Sequence, residues 1–287
     1  MRQRRLIPRP AQSNIFHMTP KIQKRFLPRF LATFAALVAS GMPVLPAAHA
    51  QGLDVHTALE DTKLYFTAPL RWDRQDWTYV AGAVGAVVIA HQFDDNVRQH
   101  FVARSGAAAL DGKDPNSTRD ALPAAAIVAG TWAYAFLIHD RVGYEEGWSM
   151  AEAAGLSVVA DYALKFAFGR ERPNETAEVN SWFKRGSSFP SIHTTAAFAI
   201  GTVLAESGND EYRWLRRTVG YGMAGATAYV RLRDNQHWLS DTVAGAAIGL
   251  ASANFVLQRR GHHIWRAAID VAPLDHGAIL TYSFALH

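Results

Sequence analysis

The sequence predicts an all-α protein, a helical bundle of about six core helices. Its apolar residues fall into six segments that are rich in Ala, Gly and Val and show little of the two-residue alternation typical of strands. Polar connections separate these segments, and their small side chains allow helices to approach one another closely. The segments span residues 77–90, 122–138, 147–164, 191–205, 219–230 and 242–257.

The composition fits one large folded unit. With 49% hydrophobic and 19% charged residues, the chain of 287 residues is too apolar to be disordered and long enough to bury a sizeable core. There is no cysteine, which excludes disulfide bonds, thiolate chemistry and cysteine-ligated metals.

Residues 1–50 have the pattern of a secretion signal. Basic residues between positions 21 and 29 precede an apolar run over residues 30–45, and Ala48-His49-Ala50 supplies a cleavage site that would leave Gln51 as the first residue. Met18 is the alternative initiator, because a start there gives a basic region of ordinary length. An uncleaved membrane anchor is the competing interpretation of the same residues.

The basic charge of the chain belongs to this leader. The net charge is +4, yet residues 1–50 hold eight Lys and Arg and no acid, so that residues 51–287 carry a net negative charge. A basic surface for nucleic acid is therefore not expected, and nucleic acid is excluded as a partner.

Residues 51–76 precede the bundle, which we expect to span residues 77–260. Within the first of these segments, residues 53–68 have the apolar spacing of a short amphipathic helix. Because its polar face is acidic, packing against the bundle is favoured over lying on a membrane surface. A second short helix is expected over residues 94–101, inside the long connection of residues 91–120.

The tail, residues 261–287, changes character. Apolar residues alternate with smaller or polar ones from position 280 to 286, which predicts a strand. Residues 265–272 are its expected partner in a short C-terminal β-hairpin that turns between Pro273 and Gly277.

Lys165-x6-Arg172-Pro173 lies where the third predicted core helix ends. Seven residues make two helical turns, so both cations point the same way if the helix continues that far. Two cations beside an apolar bundle are costly unless an anion joins them. Taken alone, the pattern fits a solvated helix terminus better, because the helix dipole favours cations there.

Pro190-Ser191-Ile192-His193 opens the next apolar helix. Ser187 or Ser188 is expected to cap it, and Pro190 suits its first turn. The free backbone N–H groups near Ser191 and Ile192 would then point at an anion, with His193 beside them. One histidine among 12 means little by itself.

Arg231-x5-His237-x3-Asp241 connects the last two apolar segments. On a first helical turn His237 and Asp241 would share a face, so the carboxylate could hold one imidazole nitrogen and raise the basicity of the other. This pairing suits an activated nucleophile, although a purely structural hydrogen bond explains an isolated His–Asp pair as well.

Together, the order and spacing of the three motifs resemble the signature of the type 2 phosphatidic acid phosphatase and vanadium haloperoxidase superfamily. The resemblance covers about residues 147–257. Two positions depart from the pattern, since Ile192 replaces the usual glycine and Val230 the usual serine. A side chain at position 192 stands where none is expected, and the change at position 230 removes a hydroxyl.

The resemblance implies a role for each residue. His237 would attack phosphorus and form a phospho-histidine, Asp241 would orient it, and His193 would protonate the departing alkoxide. Neither metal nor cofactor is expected, because side chains supply the positive charge. Five groups would bind the phosphate oxygens: Lys165, Arg172, Arg231, the Ser191 hydroxyl and the Ile192 N–H.

Arg170 and Lys184 are expected to contact the remainder of the substrate. That substrate is expected to be a phosphate or diphosphate on a lipid at the periplasmic face. The alternatives are a soluble periplasmic acid phosphatase acting on small phosphomonoesters, a vanadium haloperoxidase, and a non-enzymatic envelope protein. The sequence makes no prediction of oligomeric state.

The signs of cellular location conflict. Several apolar runs are shorter than the roughly 20 residues that a membrane span needs, and the third carries Glu152 and Asp161. Five of the six runs nevertheless lack any charge, and arginines follow the fourth run where a cytoplasmic loop would fall. We expect an exported, membrane-associated or soluble bundle that does not fully span, with an integral inner-membrane protein as the close alternative.

Overall fold

The structure is a computed structural model that describes residues 55–105, 113–208, 212–261, 268–274 and 277–283. The predicted leader, residues 1–50, lies outside the described residues, as do residues 51–54 of the segment that follows it.

The all-α prediction is confirmed. The described residues form eight α-helices, a 3₁₀ turn at Ala68–Arg71 and one two-stranded hairpin. The helices are α1 (Val55–Thr67), α2 (Arg74–His91), α3 (Asp94–Ser105), α4 (Ser117–Leu137), α5 (Arg141–Phe168), α6 (Ile192–Glu206), α7 (Arg213–Arg233) and α8 (Leu239–Arg259).

The six predicted core segments correspond in order to α2, α4, α5, α6, α7 and α8. Two of them pass their helix by one residue, because Ile138 is the C-cap of α4 and Ser191 the N-cap of α6. The extension of a helix beyond its predicted segment is largest in α5. Asp140 accepts a hydrogen bond from the backbone N–H of Val142 (3.0 Å) and so begins the helix six residues before the predicted start. Gly169, with φ +47°, ends it.

The centre of the bundle is α6, which packs against α5, α7 and α8. Glycines make two of these contacts close. A Cβ placed on Gly201 of α6 or on Gly220 of α7 would collide with the backbone carbonyl of the other, and Gly249 of α8 meets the carbonyl of Thr195 in the same way. Backbone contact at these crossings needs residues without side chains.

A single cluster of buried apolar side chains joins α4, α5, α6 and α8. Its fully buried members include Met150, Val203 and Leu257. Helix α1 packs on this core through Tyr65, whose hydroxyl hydrogen-bonds Ser252 of α8 at 2.7 Å. Arg259 of α8 also pairs with Asp61 of α1 at 2.8 Å, so the expectation that this amphipathic helix packs on the bundle is confirmed.

Large apolar side chains are exposed on several of the described elements. Leu70, Phe166, Phe183, Leu137 and Trp214 are between 69% and 86% exposed.

Two of the described helices, Ser117–Leu137 and Leu239–Arg259, are long and apolar enough to cross a membrane. The first is mostly exposed and the second about half buried, and the core helices of soluble proteins can be equally long and apolar.

The predicted C-terminal hairpin is present. Strands β1 (Ala268–Leu274) and β2 (Gly277–Ser283) pair antiparallel, with Leu274 opposite Gly277. Residues 265–267, where the first strand was expected to begin, lie outside the described residues.

The crossing of α6 and α7 predicts opposite effects for two glycines on one helix. Gly220→Ala should destabilise the protein by roughly 1–3 kcal/mol because the added methyl group meets the backbone of Gly201. Gly222 has open space around its Cβ position, so Gly222→Ala should stabilise by roughly 0.5–1 kcal/mol. Thermal unfolding of the three proteins measures both; equal midpoints for the two variants would show that the crossing is not tight.

Candidate functional site

All eight sequence-predicted site residues lie at one end of the bundle, where α5 and α7 end and α6 and α8 begin. The backbone N–H of Ser191 donates to the carbonyl of Asp241 (3.1 Å), which joins the starts of α6 and α8 directly. His237 lies close enough to Lys165, Arg172, Arg231 and His193 for the charge of each to lower its pKa.

Lys165 lies in the last turn of α5 and is almost completely buried. Its ammonium group donates to the backbone carbonyls of Ser187 (2.9 Å), Ser188 (3.3 Å) and Pro190, and lies 3.4 Å from a carboxylate oxygen of Asp161. Lys165 therefore holds the loop that leads into α6 and places positive charge beneath it.

The start of α6 differs from the sequence prediction. Its N-cap residue is Ser191, not Ser187 or Ser188, and Pro190 precedes the helix. Ser188 lies three residues before this N-cap, and its hydroxyl donates to Asp241 (2.5 Å). The first N–H groups of α6, at Ile192 and His193, have no partner within the helix and form its positive end.

His193 is oriented by the start of α4. Its Nε2 donates to the carbonyl oxygen of Ser117 at 2.8 Å, which assigns the proton of the neutral ring to Nε2. Its Nδ1 has no hydrogen-bond partner. Nδ1 is therefore the nitrogen that can exchange a proton with a ligand.

The guanidinium groups of Arg172 and Arg231 share one carboxylate. Asp114 accepts from both terminal nitrogens of Arg231 (3.2 and 2.5 Å) and from Arg172 (3.2 Å). Asp120 in α4 also accepts from Arg231 (2.6 Å), and Gln236 accepts from Arg172 (2.9 Å). The Nε atoms of both arginines remain without a partner, although they are buried.

His237 precedes α8 instead of lying on its first turn, and Asp241 is the third residue of that helix. The imidazole is fully buried, and its Nδ1 lies 3.6 Å from Asp241 Oδ2, which is an ion-pair distance but too long for a hydrogen bond. Neither ring nitrogen has a hydrogen-bond partner. The predicted hydrogen bond is thus not formed in this structure.

Burial and nearby cations keep both imidazoles neutral. Burial, followed by the positive charge of Arg172 and Arg231, lowers the pKa of His237 well below its usual value. Burial and then Arg231 lower the pKa of His193 from 6.5 to about 3. For Asp114 burial alone would raise the pKa, but the hydrogen bond and charge of Arg231 outweigh it and leave the pKa lowered.

These features are the ones that an anion-binding site needs. Nitrogens of His193, His237, Arg172 and Arg231 are buried without partners, and buried polar groups are costly unless a ligand satisfies them. No group of three His, Asp or Glu side chains among the described residues could hold a metal ion.

Arg170 corrects one sequence expectation. It is fully buried, with its guanidinium bound to Asp94 and Asp241 at 2.8 Å each, so it does not contact the remainder of a substrate. Lys184 is exposed on the loop after α5, and its contact with a substrate stays a prediction.

Several residues of the site carry no sequence signal that links them to the motifs. Asp94, Asp114 and Asp120 precede the nearest motif by tens of residues, in segments that look like connections or helix ends. Ser188, adjacent to the second motif, could have been found as a hydroxyl close to the site.

An all-α bundle with a buried, cationic, histidine-containing anion site defines a protein that handles phosphate or a similar oxyanion. The sequence profile of the PAP2 superfamily matches residues 146–265, the part of the chain that contains all three motifs.

Among curated proteins, the chain is similar to lipid A 1-phosphatase of Porphyromonas gingivalis, with 28% identity over 172 residues. The match covers 58% of this chain and 35% of that protein, so the chain spans about a third of its relative's length. No solved structure matches the chain.

Removing the carboxylate of Asp114 should strengthen anion binding. Asp114→Asn leaves the donors of Arg172 and Arg231 without a competing negative charge, so inorganic phosphate should bind roughly tenfold more tightly. Glu145→Gln is the control, since it removes the same charge from an exposed pair at the far end of α5. Calorimetric titration with phosphate measures both; weaker binding to Asp114→Asn would show that Asp114 orders the arginines instead.

The lowered pKa of His193 predicts that the anion-free protein loses stability in acid. Its folded pKa lies below the value of 6.5 for the unfolded chain, so the unfolded state binds more protons below that pH. The associated stability is present above pH 6.5 and is lost as the pH falls towards 3.

Between pH 7 and pH 5 the wild-type protein should lose about 2 kcal/mol more stability than His193→Gln. The glutamine cannot titrate, but its amide can still donate to Ser117. Denaturant unfolding across this pH range measures the difference, and parallel curves for the two proteins would contradict the assignment of a buried neutral imidazole.

Proposed function

We propose that the protein hydrolyses phosphate or diphosphate monoesters through a phospho-histidine on His237, and that its substrate is a phosphorylated lipid. The observation that carries the proposal is the fully buried, unpartnered imidazole of His237 among Lys165, Arg172 and Arg231. An unprotonated nitrogen surrounded by cations is suited to attack an anionic phosphate, because the cations attract the substrate and keep the nitrogen unprotonated.

His237 Nε2 attacks phosphorus. Nδ1 faces Asp241 at 3.6 Å, so Nε2 is the nitrogen left to form the bond. As the N–P bond forms, the P–O bond to the leaving group breaks and the ring gains positive charge, which the carboxylate of Asp241 stabilises. A contraction of the 3.6 Å separation to a hydrogen bond is expected when the substrate binds.

His193 protonates the departing alkoxide from Nδ1. In the anion-free protein this histidine is neutral, with a pKa of about 3, because of burial and Arg231. A phosphate dianion brings two negative charges next to the ring, which raises its pKa towards the range in which it can act as an acid. Substrate binding and protonation of His193 are therefore coupled.

Water completes the reaction. Having given up its proton, neutral His193 accepts one from a water molecule, whose oxygen attacks phosphorus and breaks the N–P bond. Inorganic phosphate and free His237 result. Arg172, Arg231 and the N–H of Ile192 stabilise the negative charge on the phosphoryl oxygens in both steps. The ammonium group of Lys165, beneath the loop, adds to this stabilisation.

Three observations favour a lipid substrate. Large apolar side chains are exposed on several helices, two described helices are long and apolar enough to cross a membrane, and the relative from P. gingivalis is by name a phosphatase of lipid A. We propose a membrane-associated enzyme of the cell envelope whose site faces the periplasm. A soluble acid phosphatase is the second candidate, and the buried charges of Glu152 and Asp161 within α5 favour it. A vanadium haloperoxidase would use the same anion site, with vanadate bound there.

A substitution of the nucleophile tests the mechanism. His237→Ala should reduce phosphate release by about 10⁴-fold or more, because the substitution removes the nitrogen that forms the bond to phosphorus. His100→Ala, on α3, is the control and should retain wild-type activity. Full turnover by His237→Ala would contradict the phospho-histidine.

Four substrates compared side by side identify the class: phosphatidic acid, lipid A, a polyprenyl diphosphate and p-nitrophenyl phosphate. A higher kcat/KM for one of the lipids supports the lipid phosphatase, whereas equal or higher values for p-nitrophenyl phosphate support the soluble enzyme. Halide oxidation with vanadate and peroxide, without phosphate release, would support the haloperoxidase.

A further inference from the structure

Arg170 occupies the gap between the end of α5 and the start of α8, with no exposure to solvent. One terminal nitrogen donates to Asp241 Oδ1 and to the Ser240 hydroxyl, both at 2.8 Å. The other donates to Asp94 Oδ2 at 2.8 Å. The rings of Trp182 and Trp238 lie over the guanidinium at 4.4 and 5.0 Å. Both terminal nitrogens and the face of the group are therefore in contact with the protein.

Asp94, at the start of α3, is also fully buried. Besides Arg170 it binds the first turn of α8, because it accepts from the backbone N–H of Ser240 (2.8 Å) and from the Ser240 hydroxyl (2.7 Å). The same carboxylate therefore fixes the guanidinium and the helix turn that carries Asp241.

These contacts leave Asp241 little freedom. Arg170 holds Oδ1, while Oδ2 accepts from the Ser188 hydroxyl (2.5 Å) and from the backbone N–H of Trp238 (2.9 Å). Oδ2 is also the oxygen that lies 3.6 Å from His237 Nδ1. A carboxylate bound on both oxygens cannot rotate away from the imidazole.

We propose that Asp94 and Arg170 form a positioning pair that fixes Asp241 against His237, and so sets the rate of attack on phosphorus without contacting the substrate. The proposal rests on the proposed function. Arg170 alone would neutralise Asp241, but with Asp94 present the three groups carry a net charge of −1. The negative charge needed to stabilise the phosphorylated ring is thereby kept, while the guanidinium fixes its direction.

The geometry of Arg170 predicts that a positive charge at this position is not enough to maintain kcat, because two separate nitrogens must be held in place. Arg170→Lys keeps the positive charge, but an ammonium group cannot reach Asp94 and Asp241 with two separate, fixed nitrogens. Its kcat should fall by about 10²-fold, the size expected when a reacting group is misplaced by about 1 Å. The KM should change little, because Arg170 does not touch the substrate. Asp94→Asn should behave in the same way.

Arg259→Gln is the matched control. It removes another arginine–carboxylate pair, with Asp61, at the last residue of α8, far along the helix from Ser240, and it should leave kcat unchanged. Thermal unfolding of each variant shows whether it is folded under the assay conditions, and rates are compared only for folded protein.

A double-mutant cycle distinguishes positioning from general loosening. If Arg170 acts through Asp241, then Arg170→Lys should produce no further loss of kcat in an Asp241→Asn background. Losses that multiply, or an unchanged kcat in folded Arg170→Lys, would overturn the positioning role. Wild-type protein that releases no phosphate from any of the four substrates would instead overturn the proposed function, and this inference with it.

Discussion

Every buried cation at the functional end of the bundle is paired with a carboxylate, and this requirement organises the site. Unpaired charge is too costly to bury, whereas paired charge can be kept where a ligand needs it. Each pairing joins separate turns or helices. Lys165 meets Asp161 within α5, Arg172 and Arg231 meet Asp114, Arg231 also meets Asp120 of α4, and Arg170 meets Asp94 of α3 and Asp241 of α8.

The same pairing explains why the two histidines are neutral. The carboxylates of the site bind the arginines. Burial and the positive charge of neighbouring arginines therefore dominate at the imidazoles of His193 and His237, and the pKa of each is lowered. An anion that enters reverses the balance at both rings. The negative charge of an anion favours the protonated imidazole, and so opposes the lowering of the pKa by burial and by the arginines.

The interior and the exterior of the bundle differ in the kinds of side chain they contain. Inside, glycines at the α6 crossings bring helices into backbone contact, and polar side chains are concentrated at the end where the helix termini meet. Outside, large apolar side chains face away from the core. A lipid substrate would match both regions, because its phosphate could bind among the arginines while its chains lie against the exposed apolar side chains.

The sequence alone determined the features that depend on local spacing. Apolar periodicity located the core helices, and the Lys165, His193 and His237 motifs located eight residues that the structure brings to one end of the bundle. Such signals are local, because helical geometry relates residues a few positions apart.

Only the tertiary structure decided what those residues meet. The Asp94–Arg170 contact spans 76 positions and the Asp114–Arg231 contact 117, and no pattern in the chain relates residues so far apart. It also placed His237 before α8 and buried Arg170, which the sequence had suggested as a substrate contact. Packing sets these positions, because the fold decides which helix ends meet and burial then demands a partner for every charge.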